Sequence, residues 1–217
     1  MQKKHNDDKL LTTYYNARDY FETHKKNIYI GLTVLVVVIA GVILYFNKKS
    51  ANEDNAAVAL SKVQNAYDMQ DFKTAMNGDS LGSFKGLIYI VNEYGSTPSG
   101  ELAKILLANC YYYSKDYGNA ERLYKDYGGN NEILKAAALA GVAAVLETNG
   151  NFPDAAKQYE KAADVNKELA NNDEYLYYAI RNYSKANDQE NVKRVIKELK
   201  ADYPKSQYVA QAEKYKV

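Results

Sequence analysis

The sequence predicts an all-α chain: one transmembrane helix near the N-terminus, then an α-solenoid of about four helical hairpins closed by a capping helix. Three observations carry this. Residues 28–46 (IYIGLTVLVVVIAGVILYF) hold no charge. From residue 55 onward, alanine and larger apolar residues recur at three-to-four spacing, interrupted only by Pro98, Pro153 and Pro204, which is the signature of helices with one buried face. The pattern itself returns after about 35 residues, as in stacked repeat arrays.

At 1.5 Å rise per residue the uncharged stretch reaches about 29 Å, close to the ~30 Å hydrocarbon core of a bilayer. Lys25-Lys26 and Lys48-Lys49 bracket it, and Tyr29, Tyr45 and Phe46 stand where an aromatic belt belongs. A cleavable signal has a shorter apolar run and small residues before its cleavage site, whereas this run ends Leu44-Tyr45-Phe46-Asn47-Lys48-Lys49, so an uncleaved anchor is expected. Residues 1–27 carry six Lys/Arg against four Asp/Glu, and residues 50–217 carry twenty against twenty-three. That balance puts a short tail, 1–27, in the cytoplasm and the C-terminal domain across the membrane. Within the tail, Tyr14, Ala17, Tyr20, Phe21 and His24 share a helical face that fits either a helix lying on the membrane or a disordered leader. Residues 47–54 (NKKSANED) read as a polar linker, and 55–217 as the repeat domain.

Self-alignment gives three clear copies. Leu107, Ala108 and Tyr111 are followed by Asp116-Tyr117, then Ala120, Tyr124 and Tyr127; Val142, Ala143 and Leu146 by Asn151-Phe152, then Ala155, Tyr159 and Ala162; Ala179, Ile180 and Tyr183 by Val192, Ile196 and Leu199. Each copy is a hairpin whose small residues (Ala108, Ala120, Ala143, Ala155) allow close helix approach while aromatics fill the flanks. Gly118 and Gly150 are expected to stop helices, and Pro153 to sit in a first turn. A helix from Asn55 to Met76 and its partner from Ser83 to Tyr94 make a leading hairpin, a further helix is introduced at Gly100, and Gln207–Lys216 forms the cap.

Several chemistries are excluded. The single cysteine, Cys110, allows no intrachain disulfide and no Cys-rich metal site, and is expected as a small buried hydrophobe. Both histidines, His5 and His24, precede the span, which leaves the domain without an imidazole base. Gly78-Asp79-Ser80-Leu81-Gly82 matches a nucleophile elbow, but a helix rather than a strand precedes it and no histidine follows. It reads instead as a turn with Ser80 or Ser83 capping the next helix. Glu93, Glu101, Glu121, Glu160 and Glu198 are expected to face solvent. A net charge of +1 gives no basic surface for nucleic acid, and Lys193-Arg194, Lys197 and Lys200 make only one patch, diluted by Glu190 and Glu198. No enzyme activity, cofactor, metal or small-molecule substrate is expected.

The hairpins resemble the tetratricopeptide repeat (TPR), whose period is 34 residues. The stretch Ala17 to Lys49, with Tyr20-Phe21, Gly31 and Tyr45-Phe46-Asn47 ahead of an Ala-rich helix containing Tyr67, resembles the YfgM-like ancillary subunits of the SecYEG translocon. The Tyr/Asn-rich repeats with Glu93-Tyr94-Gly95-Ser96-Thr97-Pro98 look more like envelope TPR proteins of Bacteroidetes-type bacteria. The resemblance implies a single-pass bacterial inner-membrane protein with a periplasmic repeat domain, associated with the Sec translocon and periplasmic chaperones. The alternatives are another envelope-assembly scaffold or a cytosol-facing TPR receptor, but the basic residue that such receptors place one turn before the groove asparagine is Ile105 here. In a solenoid the stripe facing the second helix is used in packing, so positions rotated about 100° from it face a concave groove. Those are Ile105, Asn109, Tyr112 and Tyr113, then Ala140, Ala144 and Glu147, then Tyr177, Arg181 and Lys185.

Overall fold

The computed structural model describes residues 2–216; the side chains of residues 2–8, His5 among them, and of Leu10 lie outside the description. The regular elements of the described residues are all helices, with no strand beyond one isolated antiparallel bridge between Gly78 and Lys85. The chain divides into two compact units, residues 1–51 and 52–217.

The described residues of the first unit, 2–51, are one helix. It belongs to α1 (Gln2–Asp68), which runs on through residues 47–54, so the polar stretch expected as a linker is helical instead. Nothing in NKKSANED breaks a helix, and four of its residues carry charge that suits an exposed surface. Thr13, Thr23 and Thr33 each donate to the carbonyl four residues back, at 2.8 Å. The apolar stretch is long enough to cross a membrane and its side chains are exposed, Val36 and Val37 at 64% and 65%.

The second unit begins inside α1 and continues through α2 (Phe72–Asn77), α3 (Leu87–Tyr94), α4 (Pro98–Tyr113), α5 (Tyr117–Lys125), α6 (Glu132–Thr148), α7 (Phe152–Ala163), α8 (Asn172–Lys185), α9 (Gln189–Asp202) and α10 (Tyr208–Ala212), the last followed by a 3-10 turn, Glu213–Tyr215. Glu53, placed by sequence in the linker, accepts from the Ser99 backbone N–H at 3.0 Å and from Ser99 Oγ at 2.7 Å. Its carboxylate therefore completes the start of α4, where Thr97 caps Gly100 N–H and Pro98 occupies the first turn.

One turn recurs four times. At Gln70, Lys115, Gly150 and Asn187 the backbone enters the left-handed region (φ 59°, 65°, 79° and 59°). At each, the left-handed residue and the one after it bond back to the preceding helix: Lys115 N–H to Tyr112 O and Asp116 N–H to Tyr111 O, for example. This is a Schellman ending, which satisfies the last carbonyls of one helix and aims the chain into the next. Asp71, Asp116 and Asp188 then cap the following helix through the N–H three residues on. Lys115 is thus the helix-stop residue expected at Gly118, which lies inside α5.

The first of these turns also corrects the leading hairpin. The helix expected from Asn55 to Met76 breaks at Gln70, and Phe72 opens a second helix that is itself interrupted by the loop 78–86 before α3. The loop's ends are pinched together: a Cβ on Gly86 would lie 2.3 Å from Met76 O and 2.4 Å from Gly78 N. Asp79, rather than Ser80 or Ser83, organises it, accepting from Ser83 Oγ and from Phe84 N–H; α3 is capped by Gly86 with no side-chain bond.

All three aligned stripes are buried or half-buried, with Ala108, Ala120, Ala143 and Ala155 fully so. They form two clusters: one built on Leu60, Leu87, Ile90, Leu107 and Tyr124, the other on Tyr159, Ile180, Tyr183, Val192 and Leu199. Helix α6 supplies both, with Val142 and Val145 in the first and Ala143 in the second.

Candidate partner-binding face

The first helices of the hairpins, α4, α6 and α8, meet along one side through their C-terminal halves. The Tyr112 and Thr148 hydroxyls lie 3.2 Å apart, joining α4 to α6. Between α6 and α8 the contact is ionic. Arg181 places one terminal nitrogen 2.9 Å from both oxygens of Glu147, Lys185 Nζ lies 2.7 Å from Oε1, and Asn182 Nδ2 donates to Oε2 at 3.0 Å. Arg181 also lies over the Tyr178 ring at 4.7 Å, and Lys185 over Phe152 at 5.0 Å.

Burial alone would raise the pKa of Glu147, but the hydrogen bonds from Asn182, Lys185 and Arg181 outweigh it and hold the carboxyl below its ordinary value. Two cations share this one carboxylate, so the cluster keeps a net positive charge, and the Arg181 Nε–H is buried without an acceptor.

Of the ten residues expected in the groove, the fold brings Glu147, Arg181 and Lys185 together. Tyr112 and Ala144 lie beside them half-buried, Ala144 giving its carbonyl to Thr148, and Ala140 packs on the second core. Tyr113 is 63% exposed and stacks on Phe72 at 5.2 Å. Three residues are placed elsewhere. Ile105 is core, at 4% exposure. Asn109 is a polar bridge inside the first hairpins, donating to Tyr67 OH at 2.8 Å and accepting from Tyr124 OH at 2.6 Å. Tyr177 is covered by the C-terminal cap, stacked on Tyr208 at 5.0 Å and edge-on to Tyr215. The physical reason is shared: α4 and α8 have neighbours on more than one side, α4 from the end of α1 and α8 from α10, so a 100° rotation does not reach open surface.

Sequence reasoning missed Asn182, which is fully buried and holds Glu147 from below. Its signal was a polar residue set between stripe residues Ile180 and Tyr183.

A tetratricopeptide repeat-like domain family matches residues 18–172, well over half of the chain. The chain belongs to that family. The TPR-like match takes in the apolar stretch of α1 and the hairpins through α7, while Arg181 and Lys185 lie beyond it on α8. None of the curated proteins compared with the chain matches it. TPR-like domains generally bind protein partners, and the fold typically serves as a non-catalytic scaffold.

Cys110 is fully buried, and burial pushes its thiol up to about 12, away from the reactive thiolate. Ser80 sits in the exposed 78–86 loop with no strand before it. Among the described residues no three His, Cys, Asp or Glu side chains are grouped to hold a metal ion. The carboxylates expected to face solvent divide. Glu93 does so, whereas Glu101 pairs with Lys104 at 3.1 Å and accepts from Gly128 N–H, and Glu160 accepts from Tyr183 OH and pairs with Arg194 at 2.7 Å. Glu198, beside Asp164 and Glu160, is raised by burial and by those like charges.

Proposed function

We propose that the chain is a membrane-anchored scaffold of the bacterial envelope, held by residues 28–46, with a cytoplasmic N-terminus and residues 55–217 in the periplasm, and that the α4/α6/α8 face binds a segment of a protein partner. The observation that carries the binding role is the Glu147–Arg181–Lys185 cluster next to Tyr112 and exposed Tyr113 in a TPR-like chain. Tyr and Arg are the residue types that most often dominate interface energies. Support for the anchor is the run of exposed valine, leucine and isoleucine side chains along α1, which water penalises by about 25 cal/mol per Å². The partners follow from the resemblance to ancillary translocon subunits: the Sec translocon and periplasmic chaperones.

Photo-crosslinkers at Tyr112, Tyr113 and Lys185 test this in native membranes. Capture of a membrane or secretory protein is expected, and Tyr112→Ala combined with Lys185→Ala should abolish it while the helical circular dichroism spectrum is kept. Capture only from Lys157 or Lys193, or only through residues 28–46, would overturn the assignment of the face.

A further inference from the structure

Helix α6 has a second working side. Ala138 and Val142 lie about 200° around the helix from Ala140 and Ala144. There, between α5, α6 and α7, is a cavity of about 360 Å³ whose floor is the Tyr124 ring with Ala138, Leu139 and Val142, and whose rim carries Lys125, Lys135 and Lys161. Lys125 is paired with Glu121 at 2.6 Å. The side chains of Lys135 and Lys161 have no hydrogen-bond or ion-pair partner among the described residues. Residues 50–217 carry more acid than base, so two unpaired ammonium groups over an apolar floor run against the charge of the unit that contains them.

We infer that this cavity receives a short segment of a protein partner whose apolar side chains enter the floor while flanking Asp or Glu residues meet Lys135 and Lys161. The volume is at the small end of the ~300–1,000 Å³ usual for ligand pockets, enough for the side chains of a short segment and too little for a long acyl chain. Charge complementarity sets the sign of the segment, and the four apolar floor residues set its character. The surface is separate from the α4/α6/α8 face, so the two readings fail independently.

The test uses the full chain in nanodiscs of zwitterionic lipid and two fluorescein-labelled peptides, one alternating leucine with glutamate and one alternating leucine with lysine. Saturable anisotropy is expected with the glutamate peptide. Lys135→Glu combined with Lys161→Glu, both at the surface, should weaken it at least tenfold, as should Leu139→Ser in a variant that keeps its helicity. Tyr112→Ala with Lys185→Ala should leave it unchanged. Equal binding of the lysine peptide, equal binding by the Lys135→Glu/Lys161→Glu variant, or loss in the Tyr112→Ala/Lys185→Ala variant would overturn the assignment. So would laurate binding at these lysines without peptide binding, which would make the occupant a lipid. A dimer dissolved by Lys135→Glu/Lys161→Glu, which would make the occupant a second copy, would also overturn it.

Discussion

Tyr124 connects three helices through one side chain. Its ring lies flat against α6 at Gly141, where any Cβ would stand 2.5 Å from the ring, and its hydroxyl reaches Asn109 on α4, which in turn reaches Tyr67 on α1. Tyr124→Ala should therefore cost about 3–5 kcal/mol, the range for aromatic truncation in a core, and Tyr124→Phe only about 1 kcal/mol for the lost hydrogen bond, both read by denaturant unfolding. A loss below about 1 kcal/mol for the alanine variant would mean that the ring is not a packing wedge. Glu147 makes a pH prediction. Its pKa is depressed in the fold, so the stabilisation it gives is fully present above its ordinary 4.5 and is lost as pH falls through the depressed value. Glu147→Gln should be less stable than the native chain by about 1–3 kcal/mol at pH 7, with the gap closing under acid. A gap that stays constant down to pH 2 would show that the cluster contributes nothing through charge. At this scale the sequence revealed which residues are large and apolar, but not where a polar one ends up. Asn109 sits beside Cys110 and could face either side; the Tyr67 hydroxyl, 42 residues earlier, and the Tyr124 hydroxyl, 15 residues later, decide that it bridges helices.

The elements are set by their ends. Gln70, Lys115 and Asn187 adopt a left-handed backbone that costs a side-chain-bearing residue about 1–2 kcal/mol. Gln70→Gly and Lys115→Gly should each raise stability by about 0.5 kcal/mol after the added freedom of the unfolded chain is subtracted, with Asn187→Gly gaining least. A fall in melting temperature for both would mean that the turns are held by the side chains and not by the Schellman bonds. These turns also explain what was legible. The hairpins at Asp116, Asn151 and Asp188 could be aligned because their turns are 35 and 37 residues apart. The first turn, at Gln70, lies 45 residues before the second, since the loop 78–86 interrupts the helix between them. A fixed-period comparison therefore passes over Asp71-Phe72-Lys73-Thr74-Ala75, although it has the same cap and the same buried alanine as Asp116-Tyr117-Gly118-Asn119-Ala120. Ile105, Asn109 and Tyr177 lie away from the expected groove for a related reason: local spacing defines a helix's own stripe but not how many neighbours other helices bring to its other sides.

At the scale of the whole molecule, the proposed topology is open to a direct measurement. Protease added to cells with a permeabilised outer barrier should digest residues 55–217 and leave the tail and the apolar stretch; full protection while the inner membrane is intact would reverse the orientation. The repeat unit carries a further consequence in its two cores. Because α6 gives Val142 and Val145 to one and Ala143 to the other, no cut through the middle leaves two sealed pieces, and a hairpin inserted beside α6 would strip alanines whose only partners are their present neighbours. The α8 side is different: α10 and Tyr215 rest on Tyr177 through a contact of few residues. A hairpin inserted between α9 and α10 need only displace that contact, so such a variant should fold where the same insertion beside α6 does not.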